Sequence, residues 1–564
     1  MPDTARPSPD AAQPSIGMVL AVVVVAALVV RIAYAFADVP DFWGDSYHGW
    51  LIERLTLDHG WIYSDYKGRE AVWFPLSRYL GAAAMFVSGR ADLLPAHVLN
   101  LFLGAVACGA AALLATRLTA SRLWGAVAGM TLAATPWHVA YSWMDMPEVT
   151  GGLIVLLAVL AAGSRKWAWG LAVLGLLGAL TRMDAVYLLL LFGAWLALHG
   201  ARARAALLWG GVAGGLGAWS AWVASVTGDP LWWMGVRRLG STADAAFWLS
   251  RGVRPRAGLV TLGAAALQAY APLIVVAVVA GYLLARRTRV GGVAMRRRAG
   301  PTGVPAPTTE TPARETPRLE PRLRALRLAP LFLAAAHLVI VAIMQRRYFS
   351  YPDPRYLLVS VPLMAVASAV VLSSLRSTRA VRGATVAHVA IVALSLATQL
   401  PTFPFRSLTL ERERMVGRFL GGLRGTSGRL WVDAPVTIYY SGIDPHRFRS
   451  SDQLVGMPTS PYVSDTAEHT GGARGAAVRA LMREDVRYVL WEEAPYTRVP
   501  EIWPEMARGR RFEADGFTFA PVFRYEPFRA GPEAPWPDRV RQRIEARYSP
   551  AVLWRVSRHA TEST

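Results

Sequence analysis

Cysteine is almost absent from this chain. Its 564 residues include one, Cys108, inside an apolar run. That excludes an intramolecular disulfide and any cysteine-based metal site. Lysine is nearly absent too: Lys67 and Lys166 are the only two, so the net charge of +21 rests on arginine. Acids are few, 39 against 60 basic residues. Such a charge raises nucleic-acid binding as a reading. The arginines, however, cluster between apolar runs and form no single basic domain, which points to membrane loops and to no nucleic-acid partner. No internal repeat is visible.

What the chain has in excess is apolar length. It is 53% hydrophobic with a mean hydropathy of +0.29, more apolar than a soluble protein of this size, and a bilayer supplies the reason. Apolar runs fall near 15–37, 97–116, 123–140, 149–163, 167–181, 183–199, 206–226, 258–285, 329–345, 356–374 and 384–400, eleven in all. Spanning takes about 17–25 residues, so the fourth and fifth are short. Arg117 and Arg122 follow the second run, Arg165 and Lys166 the fourth, and Arg202 and Arg204 the sixth. The eighth is followed by a dense arginine cluster, and the tenth by Arg376, Arg379 and Arg382. Every even-numbered exit is basic, as cytoplasmic loops require. The expectation is an α-helical protein crossing the cytoplasmic (inner) membrane about eleven times. A cleavable leader ending at Ala35-Phe36-Ala37 is the other reading of the first run. The run's length and the lone Arg6 before it weaken that reading.

The domain plan follows from parity. Residues 1–14 are a cytoplasmic tail and 15–404 the transmembrane domain, with a long first outer loop at 38–95. Segment 286–328, rich in Pro, Thr, Arg and Gly, reads as a disordered cytoplasmic linker. Residues 405–564 form a small extracytoplasmic α/β or α+β domain. Strand-like runs lie at Arg429–Tyr440, Arg487–Trp491 and Phe517–Tyr525, and a helix runs from Ala476 to Glu484.

The polar residues at the outer ends are the candidates for function. The first loop holds Asp41, Asp45, Glu53, Asp58, Asp65, Glu70 and Asp92, with Trp43, Trp50, Trp61 and Trp73. Tryptophan favours the headgroup level, and Trp73 to Leu80 suits an interfacial helix with Pro75 in its first turn. Two outer loops break the positive-inside pattern. Loop 227–257 carries Arg237, Arg238, Arg251, Arg254 and Arg256, and the stretch Gln345 to Tyr356 carries Arg346, Arg347 and Arg355. An anionic ligand would compensate, because the arginine fork matches phosphate oxygens; contact with lipid headgroups or nearby acids is the alternative. Asp145 and Glu148 follow the third run, and Arg182 and Asp184 separate the fifth from the sixth. With Asp45 they put charges on one face from three hairpins, which is a site hypothesis.

The order of these features resembles the membrane glycosyltransferases of the protein O-mannosyltransferase and lipid A aminoarabinose-transferase type, glycosyltransferase family 39 of the GT-C superfamily. Gly44-Asp45 and Tyr47 stand in an acidic loop directly after the first span. Trp73 with Pro75-Leu76 is similar to the family's aromatic-x-Pro-Leu segment. Pro147-Glu148 and Thr181-Arg182-Met183-Asp184 follow, the latter similar to its Arg-x-acid element. Arg355-Tyr356-Leu357-Leu358 with Pro362 resembles its late helix start. The likeness covers most of 15–400. Mannosyltransferase relatives often have Asp-Glu where this chain has Asp45-Ser46, which puts protein mannosylation in question.

The resemblance implies an inverting transfer from a polyprenyl-phosphate sugar to an extracytoplasmic acceptor of the cell envelope. Asp45 would be the base. Arg346, Arg347, Arg355 and Arg182 would bind the donor phosphate. Asp145, Glu148 and His48 would bind the acceptor or a metal, with Tyr47, Asp184, Arg237 and Arg238 in support. Some relatives use a divalent metal, and this sequence shows no committed metal site. A lone loop histidine such as His48 is more often incidental. A different lipid-carrier enzyme, such as an oligosaccharide ligase, would differ in its donor, and two other classes stay open. A transporter or flippase would place charges at the bilayer midplane and show repeats. A non-catalytic assembly protein would have no need of Asp45.

Overall fold

The computed structural model describes residues 15–66, 73–235, 259–283, 326–348, 353–375, 377–423, 427–455, 472–494, 497–545 and 550–559. Helices occupy the apolar runs. Helix α1 (Ile16–Phe36) starts at Ser15, whose Oγ accepts the Met18 amide and so satisfies one free helix N–H. It packs Val23, Ala27, Arg31 and Tyr34 into the core. Two of the expected single spans are broken. The third divides into α5 (Arg122–Ala133) and α6 (Pro136–Tyr141). The eighth divides into Leu259–Ala269 and Leu273–Leu283, and the pair is bent by 105°. Proline explains both: Pro136 and Pro272 lack the N–H that would continue the ladder and disfavour helical backbone one residue earlier.

Among the described residues four helices are long and apolar enough to cross a membrane: α1, α4 (Leu94–Thr119), Pro354–Ser373 and Thr378–Gly422. The bent pair adds a fifth if taken as one span. Between them sit shorter apolar helices, α7 (Glu148–Ala162), α8 (Gly170–Ala179), α9 (Met183–Leu198) and Ala329–Met344. One apolar core joins them, from Val23 and Ala27 through Val155 and Leu189 to Leu363 and Val366. Of the linker expected over 286–328, all but 326–328 lies outside the described residues.

The first loop is largely helical. Helix α2 (Gly44–Asp58) has no side-chain cap at Trp43; Asp45 in its first turn faces the positive helix end instead. Helix α3 (Pro75–Ser88) begins with the expected proline and stops at Gly89, where φ of +68° takes the left-handed cap. Its far end exposes Phe86 and Val87, with Phe86 edge-on to Trp61. That apolar tip suits an interface.

A buried charge network ties α2 to α3. Arg78 Nη1 donates to Glu53 Oε1 at 2.9 Å and to Asp145 Oδ2 at 2.6 Å, with all three side chains out of water. Glycine makes the room: a side-chain carbon at Gly49 would land on the Arg78 guanidinium, and one at Gly81 on the Glu53 carboxylate. Burial first, and the Asp145 charge second, push the Glu53 carboxyl well above its usual range.

The C-terminal part carries a six-stranded mixed sheet: β1 (Arg429–Trp431), β2 (Phe448–Arg449), β3 (Val486–Glu492), β4 (Phe512–Ala514), β5 (Phe517–Tyr525) and β6 (Ala551–Arg558), in the order β2-β1-β3-β6-β5-β4. β1 is parallel to β2 and β3, and the other pairs are antiparallel. The strand expected over Arg429–Tyr440 is only three residues long. Pro435 opens a helix, Pro435–Ser441, in its second half. Alternation splits the sheet into two faces. Trp431, Val489 and Trp554 share one core. Leu430, Leu490 and Leu553 share another with Tyr47, Trp50 and Leu51 of α2.

Two tests follow from this packing. Gly49→Ala should lower the melting temperature of the detergent-purified protein. An overpacking cost of about 1–3 kcal/mol exceeds the helix gain of roughly 1 kcal/mol. Gly210→Ala, whose added carbon meets nothing within 4 Å, should leave it unchanged or higher. In the network, Arg78→Met strands Asp145 in the interior, at about 3–5 kcal/mol, and should prevent folding. Glu53→Gln should fold. Because the Glu53 pKa is higher in the folded than in the unfolded chain, rising pH through that window costs stability. Glu53→Gln should flatten that slope in melting curves taken from acid to neutral pH.

Candidate active site

Asp45 and Arg355 meet. They are 310 residues apart, yet Arg355 Nη1 stands 2.9 Å from Asp45 Oδ2. Asp45 comes from the first turn of α2. Arg355 comes from the 3-10 turn Pro354–Ser360 that runs into the helix Val361–Ser373. Asp353 caps that turn by accepting the Arg355 amide at 2.8 Å, which sets where the arginine leaves the chain. The guanidinium then lies over Trp43 at 4.4 Å and beside Tyr356 at 4.9 Å, and Nη2 donates to the Tyr356 hydroxyl at 3.1 Å. A flat cation pressed on two rings has little freedom. The Asp45 side chain remains 37% exposed, so an incoming group can reach it.

A second charged layer lies behind. Arg182, just before α9, takes Glu148 Oε1 at 2.9 Å and Asp184 Oδ2 at 2.5 Å. His337 Nε2 stands 3.9 Å from Asp184 Oδ1. Glu148 is the first residue of α7 and has no exposure. Helix α7 approaches the Pro354–Ser360 turn closely at Gly152, where a side-chain carbon would sit 3.1 Å from the Val359 carbonyl. That approach draws Glu148 and Arg182 towards Arg355.

Other expected site residues go elsewhere. Asp145 is taken by Arg78, and its side chain is only 4% exposed; its backbone amide donates to Ser46 Oγ at 3.2 Å. His48 turns to Asp65, with Nε2 at 2.8 Å. Tyr47 faces the C-terminal domain, 3.1 Å from the Tyr440 hydroxyl and edge-on to Tyr439. Arg346 and Arg347 lie in the last turn of the helix Ala329–Tyr348, and their side chains are outside the described residues. So are Arg237 and Arg238. The acids do not assemble as metal ligands: among the described residues no three of His, Cys, Asp or Glu are grouped to hold a metal ion, and Asp145 and Glu148 each take an arginine instead.

Sequence reasoning missed several partners. Arg78 was visible as one more arginine on the outer side, the same signal that marked Arg355. Asp41 accepts Ser46 Oγ and His97 Nε2, a link between the loop and α4 that no spacing announces. Asp353 stood two residues from Arg355 in plain view.

Neither a family model nor a curated relative matches the chain. Solved structures do. ArnT from Cupriavidus metallidurans bound to undecaprenyl phosphate matches over 88% of this chain and 95% of its own, at 12% identity and a TM-score of 0.54. The same protein in its apo state matches over the same shares, at 14% identity and a TM-score of 0.51. An oligosaccharyltransferase from Archaeoglobus fulgidus, in complex with zinc and sulfate, covers 84% of this chain and 68% of its own, at 12% identity and a TM-score of 0.48. At these identities the likeness concerns the fold alone: this chain shares the fold of that ArnT.

Proposed function

We propose that this chain is a membrane glycosyltransferase that moves a sugar from a polyprenyl-phosphate donor to an acceptor outside the cytoplasmic membrane. The observation that carries this reading is the Asp45–Arg355 pair: an accessible carboxylate and an arginine held flat on aromatic rings, in one place. The ArnT of like fold was solved with undecaprenyl phosphate, which supports a lipid-phosphate donor. The chain crosses the membrane about eleven times, with the C-terminal sheet domain on the outer side.

In the transfer, the acceptor hydroxyl oxygen attacks the anomeric carbon with inversion. Its proton passes to Asp45 as the new C–O bond forms. The old bond to the phosphate oxygen breaks, and its electron pair leaves with the polyprenyl phosphate. Arg355 meets that growing charge. Before the donor arrives, Arg355 Nη1 is held by Asp45, so that carboxylate oxygen is already engaged. A donor phosphate competes for the same N–H. Its binding draws Arg355 away and leaves Asp45 free to take the proton, so the base becomes active when the donor is in place. Arg182 is held between Glu148 and Asp184 and acts by positioning and by its field. The C-terminal domain, packed on α2 through Tyr47 and Trp50, borders the acceptor side.

Asp45→Asn keeps the shape and removes the base. Transfer should fall by about 10²–10⁴-fold with expression and membrane insertion unchanged. Lipid mass spectrometry on cells lacking the protein should show one polyprenyl-phosphate sugar accumulating. Wild type should clear it and Asp45→Asn should not. Clearance by Asp45→Asn would remove the base assignment. A lipid-sugar pool that never changes would remove the transferase reading.

A further inference from the structure

Arg406 lies on the short helix Phe403–Ser407, just past the last apolar helix. It is half-buried, and its guanidinium stands 4.6 Å over the Trp137 ring. Among the described residues that guanidinium makes no hydrogen bond and no ion pair. Trp137 belongs to a shelf of rings. It meets Phe403 at 5.4 Å, Tyr141 at 5.9 Å and Phe42 at 6.3 Å. Phe42 meets Trp43 at 6.4 Å, and Trp43 carries Arg355. Two arginines thus lie on one aromatic shelf. Asp353 lies within the fields of both, and burial still holds its carboxyl above the usual range.

Two buried donors on this shelf are unused. The Tyr141 hydroxyl and Arg355 Nε have no hydrogen-bond partner among the described residues. Charge balance points the same way. Arg355 and Arg182 face four carboxylates, Asp45, Asp353, Glu148 and Asp184. The cluster as it stands would repel an anion. Arg406 is a cation beside it that, among the described residues, forms no ion pair, although Asp353 feels its field. A leaving lipid phosphate carries between one and two negative charges, more than an arginine shared with Asp45 can balance.

We propose that Arg406 and the Tyr141 hydroxyl join Arg355 in binding the phosphate of the donor lipid, Arg406 supplying the second positive charge. This rests on the donor reading above. The segment that leaves the last apolar helix thereby contributes directly to the donor site.

The test uses the full-length protein in detergent, titrated by native mass spectrometry with undecaprenyl phosphate, undecaprenol and phosphatidylglycerol. Wild type should prefer undecaprenyl phosphate to the other two. Arg406→Gln should weaken undecaprenyl phosphate binding about tenfold, as loss of one charge-assisted hydrogen bond predicts, and leave undecaprenol binding unchanged. Arg406→Lys should recover part of the loss, which a folding defect would not allow. Tyr141→Phe should cost a smaller factor. If wild type prefers undecaprenyl phosphate and Arg406→Gln binds it equally well, Arg406 is not a phosphate ligand and the donor reading survives. If wild type shows no preference over undecaprenol, the donor reading falls, and this inference with it. If phosphatidylglycerol competes as strongly as undecaprenyl phosphate, the site is a general headgroup contact and the inference is overturned.

Discussion

Arg78 brings a positive charge into a region with almost no water, and three elements converge on it. Removing a guanidinium from water costs several kcal/mol before any partner answers. Glu53 from α2 and Asp145 from the turn before α7 supply the answer. Glycine at 49 and 81 lets the three side chains occupy the space between helices. The network pins α2, and α2 carries Asp45. A carboxylate on a first-turn residue is only as well placed as its helix, so the buried network fixes what the accessible carboxylate can reach.

The contrast between Asp45 and Asp145 is instructive. Both sit at helix ends on the same face, and both are paired with arginine. Asp145 is sealed, and its partner is sealed with it. Asp45 is open, and its partner is stacked on rings that do not neutralise it. A sealed pair holds structure. An open pair can exchange partners when an anion arrives.

Much of the helical layout was legible, because apolar length and the placement of arginine are one-dimensional signals. The breaks at Pro136 and Pro272 were less so: the runs stay apolar through them, and hydropathy does not see a missing N–H. The convergence of Asp45, Glu148, Arg182 and Arg355 followed from motif order. Which acid takes which arginine did not. Asp145 and Arg78 are 67 residues apart, and only packing decides that pairing. Arg406 fell past the last apolar run and so was grouped with the outer domain. In the sheet, Pro435 ended β1 early, while β6, a run of alternating residues near the chain's end, passed without notice because its partners are β3 and β5 rather than a neighbouring hairpin strand.

The Tyr47–Tyr440 contact joins residues separated by 393 positions. During synthesis, at roughly 5–20 residues per second, the second arrives about 20–80 s after the first. Through that interval the face of α2 bearing Tyr47, Trp50 and Leu51 lacks the core it shares with Leu430, Leu490 and Leu553. The helix that bears Asp45 is thus completed late, although it is among the first made. A chain caught mid-translation has Asp45 but not the support of its helix, which ties the placement of α2 to synthesis of the C-terminal sheet.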